Sequence, residues 1–344
     1  MSPYTKNANE METIPLVKPS IAMPFIKFLN QIGAPTERYL EQVNLPIDVF
    51  YDVNTLIPLH QGCAFLELAA RREGEELAIL VSQQTQVSQL APAWPLLSQA
   101  LTLHDLLQKI LLFYKTWNSG AHIWLTETEG HQWLHHQYLL PQSFQTGQAN
   151  YYTVSNYSNI IRLAAGASWQ THQIHLKNKE NRSILELDYL SNTRIYFNQF
   201  SNAICFSKVL LSQPLVLPNM ISPSEHSADS LLSTVPVNGF KESLCQLIQH
   251  LLSRKSPCLA IAAESIGISV RTLQRRLEEH QLNYSQLVDK VRFDQAVKLL
   301  QDPTHQLIDI AFELGYTDAA NFTRAFKRWT GVSPREFRRL HLQR

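Results

Sequence analysis

Two stretches of the chain gather guanidinium and amide side chains at helical spacing. Arg271, Gln274 and Arg275 stand at i, i+3 and i+4, and Asn321, Arg324, Lys327 and Arg328 recur over two turns. On a helix each set shares one face. The fork of donors on an Arg can pair bidentately with a guanine edge, and an Asn amide with an adenine edge. Lys and Arg can also neutralise backbone phosphate, a contact that carries no sequence information. The chemistry on offer is recognition of a polyanion, without bond making.

Catalytic alternatives are weaker. His131, His135 and His136, with His172 and His175, suggest metal ligation. Their stretch reads as strand, and no cysteine or carboxylate completes a plausible ligand set. They read as surface or packed histidines, so no metal site is assigned. Glu127 and Glu129 imitate a carboxylate pair but flank Gly130, at what reads as a solvated hairpin tip. There is no nucleophile elbow, P-loop or GxGxxG. No catalytic residue or cofactor is assigned, and the chain does not read as an enzyme.

The second cationic set is positioned by the stretch Leu307 to Arg338. Leu307, Ile308, Ala311 and Leu314 give a short helix one apolar face. Gly315 stops it, because only Gly enters the left-handed cap conformation without steric cost. Tyr316 is an apolar plug, and Thr317 or Asp318 can cap the next helix. That helix, Ala319 to Trp329, turns Phe322, Ala325, Phe326 and Trp329 to one side. Asn321, Thr323, Arg324, Lys327 and Arg328 lie on the other. A buried aromatic stripe backed by a cationic face after a Gly turn is what a helix-turn-helix needs.

The pattern occurs once already, 48 residues upstream. Leu259, Ala262, Ala263 and Ile266 build a short helix, Gly267 breaks it, Ile268 is the plug and Ser269 the cap. Val270, Leu273 and Leu277 then face inward, with Arg271, Gln274 and Arg275 outward. Between the units, Tyr284 to Gln301 reads as one connecting helix with an apolar stripe, ended by Asp302-Pro303.

These residues carry a resemblance. Gly267-Ile268-Ser269, Arg271-Thr272-Leu273-Gln274-Arg275, Ile310-Ala311…Gly315-Tyr316, Phe322…Arg324-Ala325-Phe326-Lys327 and Gly331-Val332-Ser333-Pro334…Phe337-Arg338 resemble the AraC/XylS family of bacterial transcription regulators. The resemblance covers roughly 240–340. It implies that Arg271, Gln274 and Arg275 read bases in one major-groove segment. Ala320, Asn321 and Arg324 would read the next, about 34 Å away. Ala320 has no polar group, so its readout is a thymine methyl or nothing. Lys327, Arg328 and Arg338 would hold phosphates. The implied partner is double-stranded promoter or operator DNA, with RNA polymerase a further partner if the chain is an activator.

Composition agrees with this division. The 344 residues suggest about two domains, and 44% hydrophobic against 17% charged residues allows real cores. Residues 241–344 hold 16 Lys and Arg against 11 Asp and Glu, a balance of +5, and 1–240 hold 14 against 18, a balance of −4. Such asymmetry points to a basic nucleic-acid module fused to a neutral or acidic one. The four cysteines, Cys63, Cys205, Cys245 and Cys258, lack CxxC spacing and read as reduced core thiols. No apolar run reaches the ~18 residues of a membrane span. The polar N-terminus lacks a signal-peptide core, so a cytoplasmic location is expected.

The fold class expected is an α+β N-terminal regulatory domain, followed by an all-α DNA-binding domain with two helix-turn-helix units joined by a linker helix. The boundaries expected are a disordered tail over 1–21, an effector-binding or oligomerisation domain over 22–217, a Pro/Ser-rich linker over 218–238 and the double helix-turn-helix over 239–344. In the N-terminal part the order of helices, hairpin and helix, then Tyr196-Phe197-Asn198…Asn202-Ala203-Ile204-Cys205-Phe206, resembles the arabinose-binding-labelled domain of AraC-type regulators of the ornithine-utilisation group. The resemblance implies a small-molecule effector, a second copy in a homodimer, or both. The alternative is a domain that only mediates oligomerisation or protein contacts, without a ligand. Dense aromatics such as Trp124, Trp133, Tyr138, Tyr151, Tyr152 and Tyr157 suit a core and also a pocket.

Overall fold

In the computed structural model of the chain, residues 13–51, 55–90, 94–185, 190, 192–217, 235–236, 239–253 and 257–342 are described. They separate into two compact units, one over 15–237 and the other over 238–344 together with the stretch 12–14.

The first unit is α+β. Its helices are α1 (Met23–Gln31), α2 (Thr36–Gln42), α3 (Leu59–Glu73), α4 (Leu77–Gln84), α5 (Trp94–Leu97), α6 (Leu103–Phe113), α7 (Gly147–Ala165) and α8 (Arg182–Leu185). Strands β1 (Leu16–Val17) and β2 (Ile57–Pro58) form a small antiparallel pair. Strands β3 (Ala121–Thr128), β4 (His131–Tyr138), β5 (Gln173–His175), β6 (Arg194–Tyr196) and β7 (Asn202–Ser207) form the main sheet, in the order β3-β4-β7-β5-β6. Only β5 and β6 run parallel. The β3–β4 hairpin closes through Glu129 and Gly130, at φ 44° and 81°, and Thr128 faces His131 in register. Two positive φ values give the two-residue turn whose twist matches antiparallel strands. Glu127 there pairs with Lys208 at 2.7 Å, so the carboxylate is a surface ion-pair partner.

Helix α7 organises this unit. It packs against β7, α3 and α4, and most of its side chains are buried. Its first turn is held by polar contacts. Glu67 accepts the Gln148 N–H at 2.8 Å, and Asn202 on β7 donates to Asn150 at 2.8 Å. Asn150 donates in turn to Asn178 at 2.7 Å, and Asn202 accepts the Lys177 N–H at 3.0 Å.

The second unit consists of seven helices among the described residues. They are α9 (Phe240–Ser253), α10 (Leu259–Ser265), α11 (Val270–Glu279), α12 (Tyr284–Gln301), α13 (Leu307–Glu313), α14 (Ala319–Thr330) and α15 (Pro334–Leu342). Leu244, Leu247, Ile248, Leu251 and Leu252 of α9 are buried, as the i, i+3, i+4 pattern requires. Ser243 on the same helix accepts the Ile14 N–H at 2.9 Å. Around α13–α15 the core is Ala296, Leu300, Ile310, Ala311, Leu314, Phe322 and Phe326. Phe337 from α15 closes it, edge-on to Phe326 at 5.3 Å.

Several expectations need correction. Residues 13–21 do not form a tail, because Leu16 and Val17 pair with Pro58 and Ile57; residues 1–12 lie outside the described residues. Most of the linker expected over 218–238 also lies outside the described residues. Helix α4 is an addition. Val270 and Ile308 are 39% and 47% exposed instead of inward, because Leu273/Leu277 and Ile310/Ala311/Leu314 define the buried stripes. Cys63 and Cys205 are buried, but Cys258 is exposed.

The Asn202–Asn150 contact generates a prediction. Asn202→Ala leaves buried partners unpaired, which costs about 1–3 kcal/mol. Denaturant unfolding of the whole chain should show the transition of the first unit at a lower midpoint. An unchanged midpoint would mean this contact does not tie α7 to the sheet.

Candidate nucleic-acid interface

The two helix pairs α10–α11 and α13–α14 share one turn geometry. Gly267 and Gly315 have φ of 69° and 73°. In the first turn, Gly267 N–H donates to Glu264 at 2.9 Å and Ile268 N–H to Ala263 at 3.0 Å. In the second, Gly315 N–H donates to Phe312 at 3.0 Å and Tyr316 N–H to Ala311 at 2.9 Å. The six-to-one bond is the Schellman closure of a helix end on a left-handed residue. Each following helix is capped by a side-chain oxygen: Ser269 accepts Thr272 N–H at 3.1 Å, and Asp318 accepts Asn321 N–H at 2.6 Å. The sequence leaves Thr317 and Asp318 open as caps; it is Asp318 that accepts.

On α11, Arg271, Gln274 and Arg275 are all exposed, and Arg275 pairs with Glu279 at 3.5 Å. The adjacent Arg276 is buried, at 5% exposure. On α14, Ala320, Arg324, Lys327 and Arg328 are exposed and Asn321 is half-buried. The outward groups here are not independent. Asp318 accepts from the Asn321 amide at 2.6 Å, and Asn321 Oδ1 accepts from an Arg324 terminal nitrogen. The chain Asp318–Asn321–Arg324 therefore holds the guanidinium by one of its donors. Arg328 pairs with Asp289 of α12 at 2.9 Å, with both side chains well exposed, a contact worth at most about 1 kcal/mol. Arg338 is engaged elsewhere. Its Nε donates to Leu300 O at 3.2 Å and a terminal nitrogen to His305 O at 2.8 Å. It binds one carbonyl at the end of α12 and one in the loop that follows, and ties α15 to both.

Beside α14 lies an open cleft of about 610 Å³, lined by residues of α12, the Gly315 turn and α14. Two lining residues, Asp289 and Arg292, come from α12 and were invisible to a reading confined to the recognition helices. Their signal in the sequence is their spacing, i and i+3, on the connecting helix.

Two family models match. The one described as "Helix-turn-helix domain" covers residues 262–340, and "Arabinose-binding domain of AraC transcription regulator, N-term" covers residues 33–215, more than half of the chain. The chain belongs to the AraC family of transcription regulators. Among similar relatives of this AraC-family chain is the HTH-type transcriptional regulator VqsM of Pseudomonas aeruginosa, 32% identical over 127 residues, 37% of this chain and 38% of that one. The Ornithine utilization regulator of the same species is 34% identical over 133 residues, with shares of 37% and 38%. The HTH-type transcriptional activator FapR of Escherichia coli is 39% identical over 110 residues, with shares of 32% and 42%. The match thus spans about two-fifths of the length of each of these relatives.

The arabinose-binding-type domain encloses a polar cluster. His136 Nε2 lies 2.9 Å from the Tyr114 hydroxyl, and Tyr138 bonds Thr153 at 3.0 Å. The Tyr157 hydroxyl and His136 Nδ1 are buried without a partner. Burial pushes the His136 imidazole down to about 3 and raises the Tyr157 phenol, so both are neutral. His135 is satisfied by Thr126 and Ser201, at 2.8 and 3.0 Å, and stacks on Trp124. The described residues contain no group of three potential metal ligands, and no helix among them is long and apolar enough to cross a membrane.

Asp318 has a double duty that can be separated. Asp318→Ala removes the cap and should lower stability by about 1 kcal/mol, whereas Asp318→Ser keeps a capping oxygen and should lose a few tenths at most. Thermal unfolding of both variants is the check; equal losses would show that the cap contributes nothing.

Proposed function

We propose that this regulator binds double-stranded DNA sequence-specifically through two helix-turn-helix units, with α11 and α14 entering successive major-groove segments. The observation that carries this is the repeated turn, identical in its bonds, that presents a cationic and amide-bearing face twice. On this reading Arg271, Gln274 and Arg275 read bases from α11. Ala320, Asn321 and Arg324 face them from α14, where Arg324 is the best-placed polar reader. Lys327 and Arg328 lie further along α14 and meet phosphate. Arg338 would reach phosphate only with a donor not spent on Leu300 and His305. The chain acts in the cytoplasm on promoter or operator DNA, as a regulator and not an enzyme.

The N-terminal unit would bind a small-molecule effector. Support comes from the unpartnered Tyr157 hydroxyl and His136 Nδ1, since buried polar groups are rarely left unsatisfied. A ligand that binds only the folded state raises its melting temperature. A metabolite panel that never shifts residues 1–217, in a fragment that dimerises, would favour oligomerisation alone.

Reading and holding separate by mutation. Arg324→Ala should lose roughly 1–3 kcal/mol, concentrated on one base pair. Lys327→Ala should weaken specific and random DNA alike and flatten the log–log salt slope by about one unit. Titration against an operator, its single-base variants and random DNA at several salt concentrations distinguishes them. If Arg324→Ala loses affinity equally on every sequence while Lys327→Ala relaxes one base position, α14 is rotated differently in the groove. The fragment 239–344 should keep salt-sensitive DNA binding, and 1–217 should show none at physiological salt. A folded 239–344 that fails to bind would overturn the DNA-binding reading itself.

A further inference from the structure

The cleft between α12 and α14 has a chemistry of its own. Its walls carry three guanidinium groups, Arg292, Arg324 and Arg328, against one carboxylate, Asp289. Arg292 is held from two sides. Its Nε donates to Leu314 O at 3.1 Å, and its guanidinium carbon lies 4.5 Å from the centre of the Tyr316 ring. It is a fixed cation, and Thr317 and Asn321 add polar groups to the lining. Arg328 is held at 2.9 Å by Asp289, the only acidic residue of the lining.

The position of the cleft names its occupant. Asn321, itself assigned to base reading, lies with Ala325 and Arg328 along one flank of α14, at i, i+4 and i+7. A helix seated in a major groove about 12 Å wide has a sugar-phosphate strand along each flank. The strand on this flank meets the cleft, where a non-bridging phosphate oxygen can accept from Arg292. We infer that the cleft is a seat for a DNA backbone phosphate, with Arg292 as its fixed anchor. Asp289 is the regulating group: it occupies Arg328 and repels the strand, so it holds backbone affinity below what the arginines could give. This rests on the DNA-binding reading above and adds to it a contact from the linker helix, which neither recognition helix supplies.

Charge repulsion gives the test a direction that simple damage does not. Asp289→Asn removes the carboxylate and frees Arg328. In the full chain it should tighten binding to operator and random DNA alike, by roughly three- to tenfold, and steepen the salt slope by up to about one unit. Arg292→Gln should weaken both by a similar factor and flatten the slope by about 0.9. Because Arg292 also braces Leu314 and Tyr316, its variant is read only if its melting temperature stays near that of the parent; Asp289→Asn, at a half-exposed ion pair, carries the test otherwise. Arg324→Ala is run alongside. If Arg324→Ala impairs operator binding while Asp289→Asn leaves affinity and salt slope unchanged, the phosphate seat is wrong and the DNA-binding reading stands. If the parent chain binds no DNA at any salt concentration, both fall.

Discussion

The outward faces of α11 and α14 depend on two left-handed glycines. Gly267 and Gly315 sit at φ near 70°, a region that costs an ordinary residue roughly 1–2 kcal/mol. That conformation lets the last carbonyls of α10 and α13 find N–H partners within the turn. The residue after each glycine, Ile268 or Tyr316, donates six-to-one to Ala263 or Ala311. The turn between the two helices of a pair is thereby closed by backbone bonds, and the packed core holds the helices together. The side-chain caps, Ser269 and Asp318, then start the next helix in a set rotation. Once the rotation is fixed, the apolar stripe decides which residues remain outside. In α14, Phe322, Ala325 and Phe326 are buried, so Arg324 and Lys327 must point away.

The same logic explains why the tail Gly331…Pro334…Phe337-Arg338 belongs to the unit. Gly331 ends α14 in the left-handed conformation, and its N–H returns to Lys327 at 2.8 Å. α15 then folds back, which brings Phe337 edge-on to Phe326 and Arg338 onto the carbonyls of Leu300 and His305. An exposed-looking cation in the sequence thus has a packing task. Arg276 is the parallel case on α11. Long side chains carry an apolar stem, so a basic pair in sequence does not say which member reaches solvent.

The legible parts of the fold were those in which local chemistry and burial agree. The Gly turns, the cap at Ser269, the α12 terminus before Pro303 and the β3–β4 hairpin all follow from residues within four positions of the feature. Helix α4 was not legible, because LAILV is apolar on every side and such a run has no period to distinguish helix from strand. Residues 13–17 were misread for a different reason. Their order comes from pairing with residues 57 and 58, a long-range contact that no local pattern announces. In the site, the identity of the outward residues was legible, but their coupling was not. That Asn321 bonds both Asp318 and Arg324, and that Arg328 leans on Asp289, depends on rotamers and on a helix 30 to 40 residues away.

Those couplings bear on how the two units would divide the work. On α14, Asn321 has its amide nitrogen committed to Asp318 and its oxygen to Arg324, and Ala320 offers only a methyl group. Asn321 Oδ1 keeps a second lone pair, but both amide hydrogens are spent on Asp318 and Thr317, so pairing with adenine would cost one of those contacts. On the proposed reading, α14 would therefore rely chiefly on one guanidinium that is already placed, which favours fit over adaptability. On α11, Arg271 and Gln274 are exposed, and Arg275 is tied only loosely to Glu279 at 3.5 Å. These side chains lose rotamer freedom when they bind, so their contacts start at an entropic disadvantage of up to ~2 kcal/mol each, yet they can adjust to different base edges. On the proposed reading, the α10–α11 pair would make three adaptable contacts and the α13–α14 pair one prepared contact flanked by phosphate-seeking charge. Base discrimination should then be broad and tolerant in the α11 segment and narrow in the α14 segment, with the rigidity of the second traced to Asp318.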